Sequence, residues 1–385
     1  MSVYLDNAST TFPKPKKVVD SIYDFLTNIG GNPGRSNHEN SITTNRILLD
    51  ARETISNFFG LSSVENVIFT NNITTSLNVL INGALTNGDH VITSSMEHNS
   101  VLRPLESLKN NSIIELDIVM ANKFGFINPL DIQKLIKVNT KMVVISHASN
   151  VFGSIQNIKE IGRICKEHKL FFILDSAQSA GVLDINFNDL SLNALAFTGH
   201  KSLFGPQGTG GFIIDDEFNK ACSPLILGGT GSLSYSLIQP DFLPDKFESG
   251  TLNMPGIVGL QEGFRFIEKE GLKTIRQKNK FLRDKLVYDM RNISDLLLYD
   301  DFDNLDNYTS CISINMEGLD PSELSFILDS DYNIKNRSGL HCAPLAHETL
   351  GTFPSGTVRL SLSYFNTKEE IDYTLVALNK ISKLK

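Results

Sequence analysis

Lys201 is set in Ala194-Leu-Ala-Phe-Thr-Gly-His-Lys-Ser-Leu-Phe-Gly-Pro-Gln-Gly-Thr-Gly-Gly211, which reads as a strand, a polar turn holding a lysine, and glycines that let backbone approach a ligand closely. Taken alone, a lysine in a loop is more commonly solvated than catalytic. Asp175 changes the weighing. It ends the apolar run Leu170-Phe-Phe-Ile-Leu174, where an unpaired carboxylate is costly, and at the carboxyl end of a strand it can meet a ligand in the cleft. An acid there suits a protonated pyridine nitrogen. A Schiff-base lysine with an acidic partner for the pyridinium is what pyridoxal phosphate chemistry requires, because the charged ring is the electron sink for a carbanion. By itself, Asp175 reads equally well as a turn or helix cap.

Thr74 and Thr75 follow a candidate strand and open a candidate helix, where free backbone N–H groups and the helix dipole favour a phosphate; a plain N-cap is the simpler reading of the pair alone. His98, in Met96-Glu-His-Asn-Ser100, stands just after the next strand, where a flat ring could stack on a cofactor and shuttle a proton, or serve structure only. Asn150, Gln178, Thr198 and His200 read as ordinary turn residues until their neighbours are weighed with them.

These residues need a scaffold. Short β-branched runs at 66–70, 90–93, 113–117, 142–146, 170–174, 194–197 and 211–214 alternate with helical patterns such as 74–85 and 158–168. That alternation predicts an α/β fold with a mostly parallel seven-stranded sheet covered by helices, its strands continuously apolar because both faces are buried. After a Pro/Gly break at 253–256 comes a long helical stretch to about Asn292, then a strand at 309–315, a helix at 321–330, a strand at 357–361 and a helix at 368–380. The expected organisation is a large α/β domain over 15–255 and a small α+β domain from 1–14 and 256–385.

With 385 residues, 41% of them hydrophobic, the chain can bury a core of that size. No segment approaches the roughly 18 apolar residues of a membrane span, and residues 1–7 lack a basic segment followed by an apolar run, so a soluble cytoplasmic protein is expected. The net charge of −8, without a Lys/Arg run, argues against nucleic acid as partner. Cys165, Cys222, Cys311 and Cys342 are too scattered for a disulfide framework or a metal site, and read as free thiols in a reducing compartment.

The sequence resembles the class V aminotransferases, and within them the cysteine desulfurases, from near one end to near the other. The resemblance rests on Tyr4-Leu-Asp-Asn-Ala-Ser-Thr-Thr11, Asn32-Pro-Gly-Arg-Ser-Asn-His38, Glu97-His-Asn-Ser100, Ser149-Asn-Val-Phe-Gly153, Asp175-Ser-Ala-Gln178 and Thr198-Gly-His-Lys201. Phe247-Glu-Ser-Gly-Thr-Leu-Asn253, Arg337-Ser-Gly-Leu-His-Cys-Ala343 and Arg359-Leu-Ser-Leu-Ser-Tyr-Phe-Asn-Thr367 complete it. It implies fold type I of the pyridoxal-phosphate enzymes and a homodimer. Lys201 would bind the cofactor covalently, Asp175 would pair with the pyridine nitrogen, Gln178 would bond the ring hydroxyl and His98 would stack on the ring. Thr74, Thr75, Thr198 and His200 look like phosphate contacts, and Thr251 like one made across the dimer interface. Asn150 resembles a contact near ring or substrate, Arg359 the clamp on the substrate carboxylate, whose planar fork suits that partner, and Arg337 a second substrate contact.

Cys342 decides between branches of that family. Free cysteines are commonly buried and inert, which is the expectation for the other three. Cys342 instead lies in a Gly-rich, polar-flanked loop after Arg337 and beside His341, a setting that favours thiolate and access. The segment is similar to group II desulfurases, a branch that includes enzymes of iron–sulfur cluster assembly and selenocysteine lyases. The implied reaction converts L-cysteine to L-alanine with sulfur held on Cys342 for an acceptor protein. Selenocysteine lyase and cysteine sulfinate lyase are the nearest alternatives; a transaminase or a non-catalytic scaffold of this fold are more distant ones. Leu340 where group II enzymes usually show histidine, Ser76 where glutamate is common after Thr75, and an unfamiliar Gly228–Tyr235 loop bear on substrate and acceptor, and touch neither Lys201 nor Asp175.

Overall fold

The computed structural model describes residues 1–34 and 37–383; Arg35 and Ser36 of the 32–38 motif lie outside the described residues. After a short first strand, β1 (Val3–Tyr4), seven strands form one sheet: β2 (Val67–Thr70), β3 (Asp89–Ser94), β4 (Ile114–Val119), β5 (Thr140–Ser146), β6 (Phe171–Asp175), β7 (Ala194–Thr198) and β8 (Gly210–Ile214). Their order is β2-β8-β7-β6-β5-β3-β4. Only β8 runs against its neighbours, and every other pairing is parallel. The carboxyl ends of β2, β3, β5, β6 and β7 therefore share one edge, where an open α/β sheet binds its ligands.

Both faces of the sheet are covered, which is why its strands are continuously apolar. Phe172, Leu174, Leu195, Phe197 and Ile213 face a core shared with the helices Glu39–Phe58 and Met254–Glu270. The alternate residues Ile173, Ala194, Ala196, Phe212 and Ile214 face the helices Ile73–Ala84 and Asn99–Asn110. Ile73, Leu77, Leu80, Ile81 and Ala84 make one buried helical stripe against them.

The glycines after Lys201 have a use other than the one expected from sequence. A Cβ on Gly211 would lie 2.4 Å from the Ile68 carbonyl oxygen and 2.5 Å from the Phe197 ring, and one on Gly210 would lie 2.9 Å from the Asn72 Cα. They let protein pack against protein, with β8 wedged between β2 and β7.

A second core surrounds a four-stranded antiparallel sheet of β9 (Leu296–Leu298), β10 (Cys311–Met316), β12 (Arg337–Gly339) and β13 (Thr357–Ser361), in the order β12-β13-β10-β9. β11 (Ile334–Lys335) pairs in parallel with β1, so the N-terminal residues Val3 and Leu5 join Leu286, Ile312, Leu360 and Leu378 in this core. One expectation needs correction. The long helical stretch is two helices, Met254–Glu270 and Leu272–Met290, separated by Gly271 at φ 84°. The first of them buries Ile257, Leu260, Phe264 and Ile267 in the large core, so that packing unit runs past residue 255. Among the described residues no helix is long and apolar enough to cross a membrane.

Candidate active site

Ten of the thirteen candidate residues meet in one cavity of about 230 Å³ at the carboxyl edge of the sheet: Thr74, His98, Asn150, Asp175, Gln178, Thr198, His200, Lys201, Arg337 and Arg359. Thr75 and Thr251 do not line it. They face a neighbouring cavity of about 120 Å³ with Phe69, Leu225, Ile226 and Phe247. The N–H of Thr75 is held at 2.9 Å, and its hydroxyl at 3.2 Å, by the Asn72 carboxamide, which caps the helix Ile73–Ala84. Cys342, the remaining candidate, is exposed, with its Sγ 3.9 Å from an Arg337 Nη2 that belongs to the cavity wall.

Lys201 sits in the turn after β7, and the N-terminal segment holds that turn in place. Thr11 N–H donates to the His200 carbonyl at 3.0 Å, the Thr11 hydroxyl to the Lys201 carbonyl at 2.7 Å, and Lys14 Nζ to the His200 carbonyl at 2.7 Å. Burial of the Lys201 amine lowers its pKa to about 8, against the pull of Asp175 and with the help of Arg359. Asp175, 4% exposed at the end of β6, is pushed up by burial, opposed by the N–H of Ala177 at 2.8 Å, by Lys201 and by Ser146. The same dry surroundings disfavour the charge on both groups. A further cation beside Asp175, such as a protonated ring nitrogen, would favour its ionised form.

The donors at the other end of the cavity suit a phosphate. Thr198 is 3% exposed, and its Oγ1, like the buried Nδ1 of His200, has no hydrogen-bond partner in the protein. Burial and the Lys201 and Lys14 charges lower the His200 pKa to about 4. Two orphaned polar atoms beside the N-terminus of the helix that carries Thr74 make a cradle for an anion with several acceptor oxygens. Pyridoxal phosphate thus fits the residues present at both its nitrogen and its phosphate end.

His98 caps a helix and also lines the cavity. Its Nδ1 accepts the Ser100 N–H at 3.0 Å, capping the helix Asn99–Asn110, which leaves the proton of the neutral ring on Nε2. Burial first, then the cations Lys201, Arg337 and Arg359, lowers its pKa to about 4. Gln178 donates to the Ala8 carbonyl at 3.1 Å, and the thiol of buried Cys311 approaches its Oε1 at 4.0 Å.

Arg359, 1% exposed on β13, reaches across from the small sheet. It donates to the Asn150 carbonyl at 3.0 Å, to Asp6 at 3.0 Å and to the Ser9 hydroxyl at 2.8 Å, while its buried Nε has no partner. Asn150 in turn donates at 2.7 Å to the carbonyl of His341, and the Cys342 carbonyl accepts the Asn99 N–H at 2.7 Å. Consecutive His341 and Cys342 take φ values of 49° and 58°, an uncommon left-handed pair without glycine, so these two bonds pin a bent loop.

Several site residues escaped the sequence reading as individuals. Asn72, directly before Ile73-Thr-Thr75, carried a helix-cap signal. Asp6 and Ser9 stood in the 4–11 motif without a role of their own, and Ser146 carried no signal, because their roles come from strand register and from long-range packing. Glu97 was visible only as part of a motif.

With its doubly covered sheet and a lysine and an acid at adjacent strand ends, the chain belongs to the class V aminotransferase family, whose model, Aminotransferase class-V, matches residues 3–374. Two relatives are narrower in name. A probable cysteine desulfurase of Methanothermobacter thermautotrophicus is 33% identical, aligned over 99% of this chain and 94% of that protein. A protein of Dictyoglomus turgidum named cysteine desulfurase IscS is 30% identical over 98% of this chain and 94% of its own. The solved apo structure of a cysteine desulfurase from Thermococcus onnurineus NA1 superposes with a TM-score of 0.94 at 32% identity, covering 100% of this chain and 95% of that one.

Proposed function

We propose that this protein is a cysteine desulfurase that moves the sulfur of L-cysteine onto Cys342 as a persulfide and releases L-alanine. The observation that carries the reading is the meeting of Lys201, Asp175 and Arg359 in a cavity whose wall residue Arg337 touches an exposed thiol. Pyridoxal phosphate, when bound, supplies the electron sink that lets the substrate Cα lose its proton.

The protein's own groups do the rest. Thr198, His200 and Thr74 would hold the phosphate, Asp175 the ring nitrogen and Gln178 the ring oxygen. Arg359 binds the substrate carboxylate, with Asp6 and Ser9 giving up part of their hold on the guanidinium. With its pKa near 8, the Lys201 amine can take the Cα proton at neutral pH and return one. Cys342 thiolate attacks the substrate sulfur: an S–S bond forms, the Cβ–S bond breaks, and the bond pair left on carbon is protonated to give the methyl group of alanine. Holding thiol and substrate together makes this attack intramolecular.

A homodimer belongs to the same reading. Leu225 and Ile226 are exposed at the cavity that Thr75 and Thr251 line, Leu227, Tyr235, Leu237 and Ile238 are exposed further along the same segment, and burying so large an apolar group against a second copy would bring Thr251 to the partner's phosphate site. A free thiol that carries sulfur also requires a reducing, cytoplasm-like compartment and an acceptor protein. The test is to incubate the purified protein separately with cysteine, selenocysteine and cysteine sulfinate, and to measure alanine formed. Turnover of cysteine with sulfur on Cys342 is expected; alanine from selenocysteine alone would reassign the substrate.

A further inference from the structure

Glu97 is a fully buried carboxyl without a cation to pair with among the described residues. Its Oε1 accepts the Ser94 hydroxyl at 2.5 Å, and its Oε2 accepts both the N–H and the hydroxyl of Ser146, at 2.8 and 2.7 Å. Ser146 ends β5, lines the Lys201 cavity and is the register partner of Asp175 on β6. Its hydroxyl lies beside the Asp175 carboxyl and lowers that group's pKa, while the hydrogen bond it makes is to Glu97; Asp175 faces Glu97 from the neighbouring strand. The ring of His98, next in the chain, is turned to Ser100.

Ser146 has one hydroxyl proton and two carboxylates in reach of it, and a hydroxyl donates only once. While Glu97 is ionised, that proton goes to Glu97 and Asp175 keeps only the Ala177 N–H. When Glu97 takes a proton on Oε2, the acid donates to Ser146 Oγ, and the Ser146 hydroxyl turns its own proton to Asp175. Protonation on Oε1 is the poorer choice. It would displace the Ser94 hydroxyl proton from its acceptor in a fully buried site, where Ser94 Oγ already accepts the Met96 N–H at 3.1 Å.

We propose that Glu97 is a positioning residue for the cofactor site, a one-proton switch that sets, through the Ser146 hydroxyl, how strongly Asp175 holds the pyridine nitrogen. The inference rests on the cofactor reading given above. Burial raises the Glu97 pKa to about 7, with Asp175 pushing the same way against the Ser94 and Ser146 bonds, so the switch works in the neutral range.

The test loads the wild-type protein, E97Q and S146A with ¹⁵N-labelled pyridoxal phosphate and follows the pyridine nitrogen chemical shift from pH 5.5 to 8.5. Wild type should show a step near pH 7. The step should vanish in E97Q, whichever way the amide turns, and in S146A, which keeps Glu97 but cuts the link. In parallel, apoprotein melting temperatures report Glu97 itself: the gap between E97Q and wild type should widen as pH rises to about 7 and then level, and S146A should retain a pH dependence that E97Q lacks. An unchanged nitrogen step in S146A, or a melting gap that is flat with pH, overturns the proposal. Failure of the protein to take up cofactor at all would instead sink the functional reading, while the melting series still judges the switch.

Discussion

At the scale of single residues, the site separates holding the cofactor from using it. Removing the Cys342 thiol leaves Lys201, Asp175 and Arg359 in place, since the thiol meets the cavity at Arg337 and hydrogen-bonds none of the three. C342A should therefore bind pyridoxal phosphate with its visible absorption intact and still respond spectrally to cysteine. Alanine formation from cysteine should fall by roughly 10²-fold or more, as expected when a nucleophile is lost. Wild-type turnover in this variant would remove Cys342 from the mechanism. Lys201 makes a separate prediction through its lowered pKa. Only the neutral amine attacks an aldehyde, so cofactor uptake by the apoprotein should rise about tenfold per pH unit below its pKa of about 8 and flatten above it. Stopped-flow absorbance across pH 6 to 9 checks this, and a flat profile would mean that another step limits uptake.

Lys201, Asp175 and Arg359 were legible in sequence because each combines an unusual polar type with an apolar strand. Thr75 was not. Thr-Thr after a strand looks the same whether its hydroxyls face a ligand or a capping Asn72, and only the fold shows that the cap claims Thr75. The Glu97–Ser146–Asp175 link was illegible for a related reason: it depends on β5 and β6 lying side by side in a register that no local pattern encodes.

At the scale of elements, the parallel sheet was readable because strands buried on both faces must be apolar throughout, and every run expected in the sheet is a strand within two residues at either end. The short strands β1, β9 and β11 were not, since two or three residues carry no periodicity and owe their form to pairing. Gly211, after Lys201, serves strand packing where its motif suggests close approach to a ligand. Gly211 illustrates the physics: with the Ile68 carbonyl and the Phe197 ring both within 2.5 Å of where a Cβ would stand, β2 and the buried Phe197 ring must both shift to admit one. G211A should destabilise the fold by about 1–3 kcal/mol, the usual cost of overpacking, seen as a lower urea midpoint. A neutral result would show that β8 can shift freely. His98 links element and site. H98N should keep the cap on the helix Asn99–Asn110, since Asn caps well, and lose the ring. Near-native stability with a large loss of activity is expected, and an equal loss of both would make the residue purely structural.

At the scale of the whole molecule, the site belongs to neither sheet alone. Arg359 and Arg337 come from the small sheet, Lys201 and Asp175 from the large one, and the N-terminal segment ties them together through Thr11 to the Lys201 turn and through Asp6 and Ser9 to Arg359. A second copy would add Thr251. That expectation can be tested from outside the cavity, because Leu237 and Ile238 are 104% and 81% exposed and contribute nothing to the hydrophobic core of one chain. Changing both to glutamate should leave the monomer's stability nearly untouched, while placing charge in an interface that needs apolar contact. Sedimentation velocity should then show the wild type as a dimer and the variant shifted to monomer, with weaker retention of pyridoxal phosphate on dilution as the partner's Thr251 is lost. If the variant remains a dimer with undiminished cofactor affinity, this face is not the interface, and the phosphate site must be complete within a single chain.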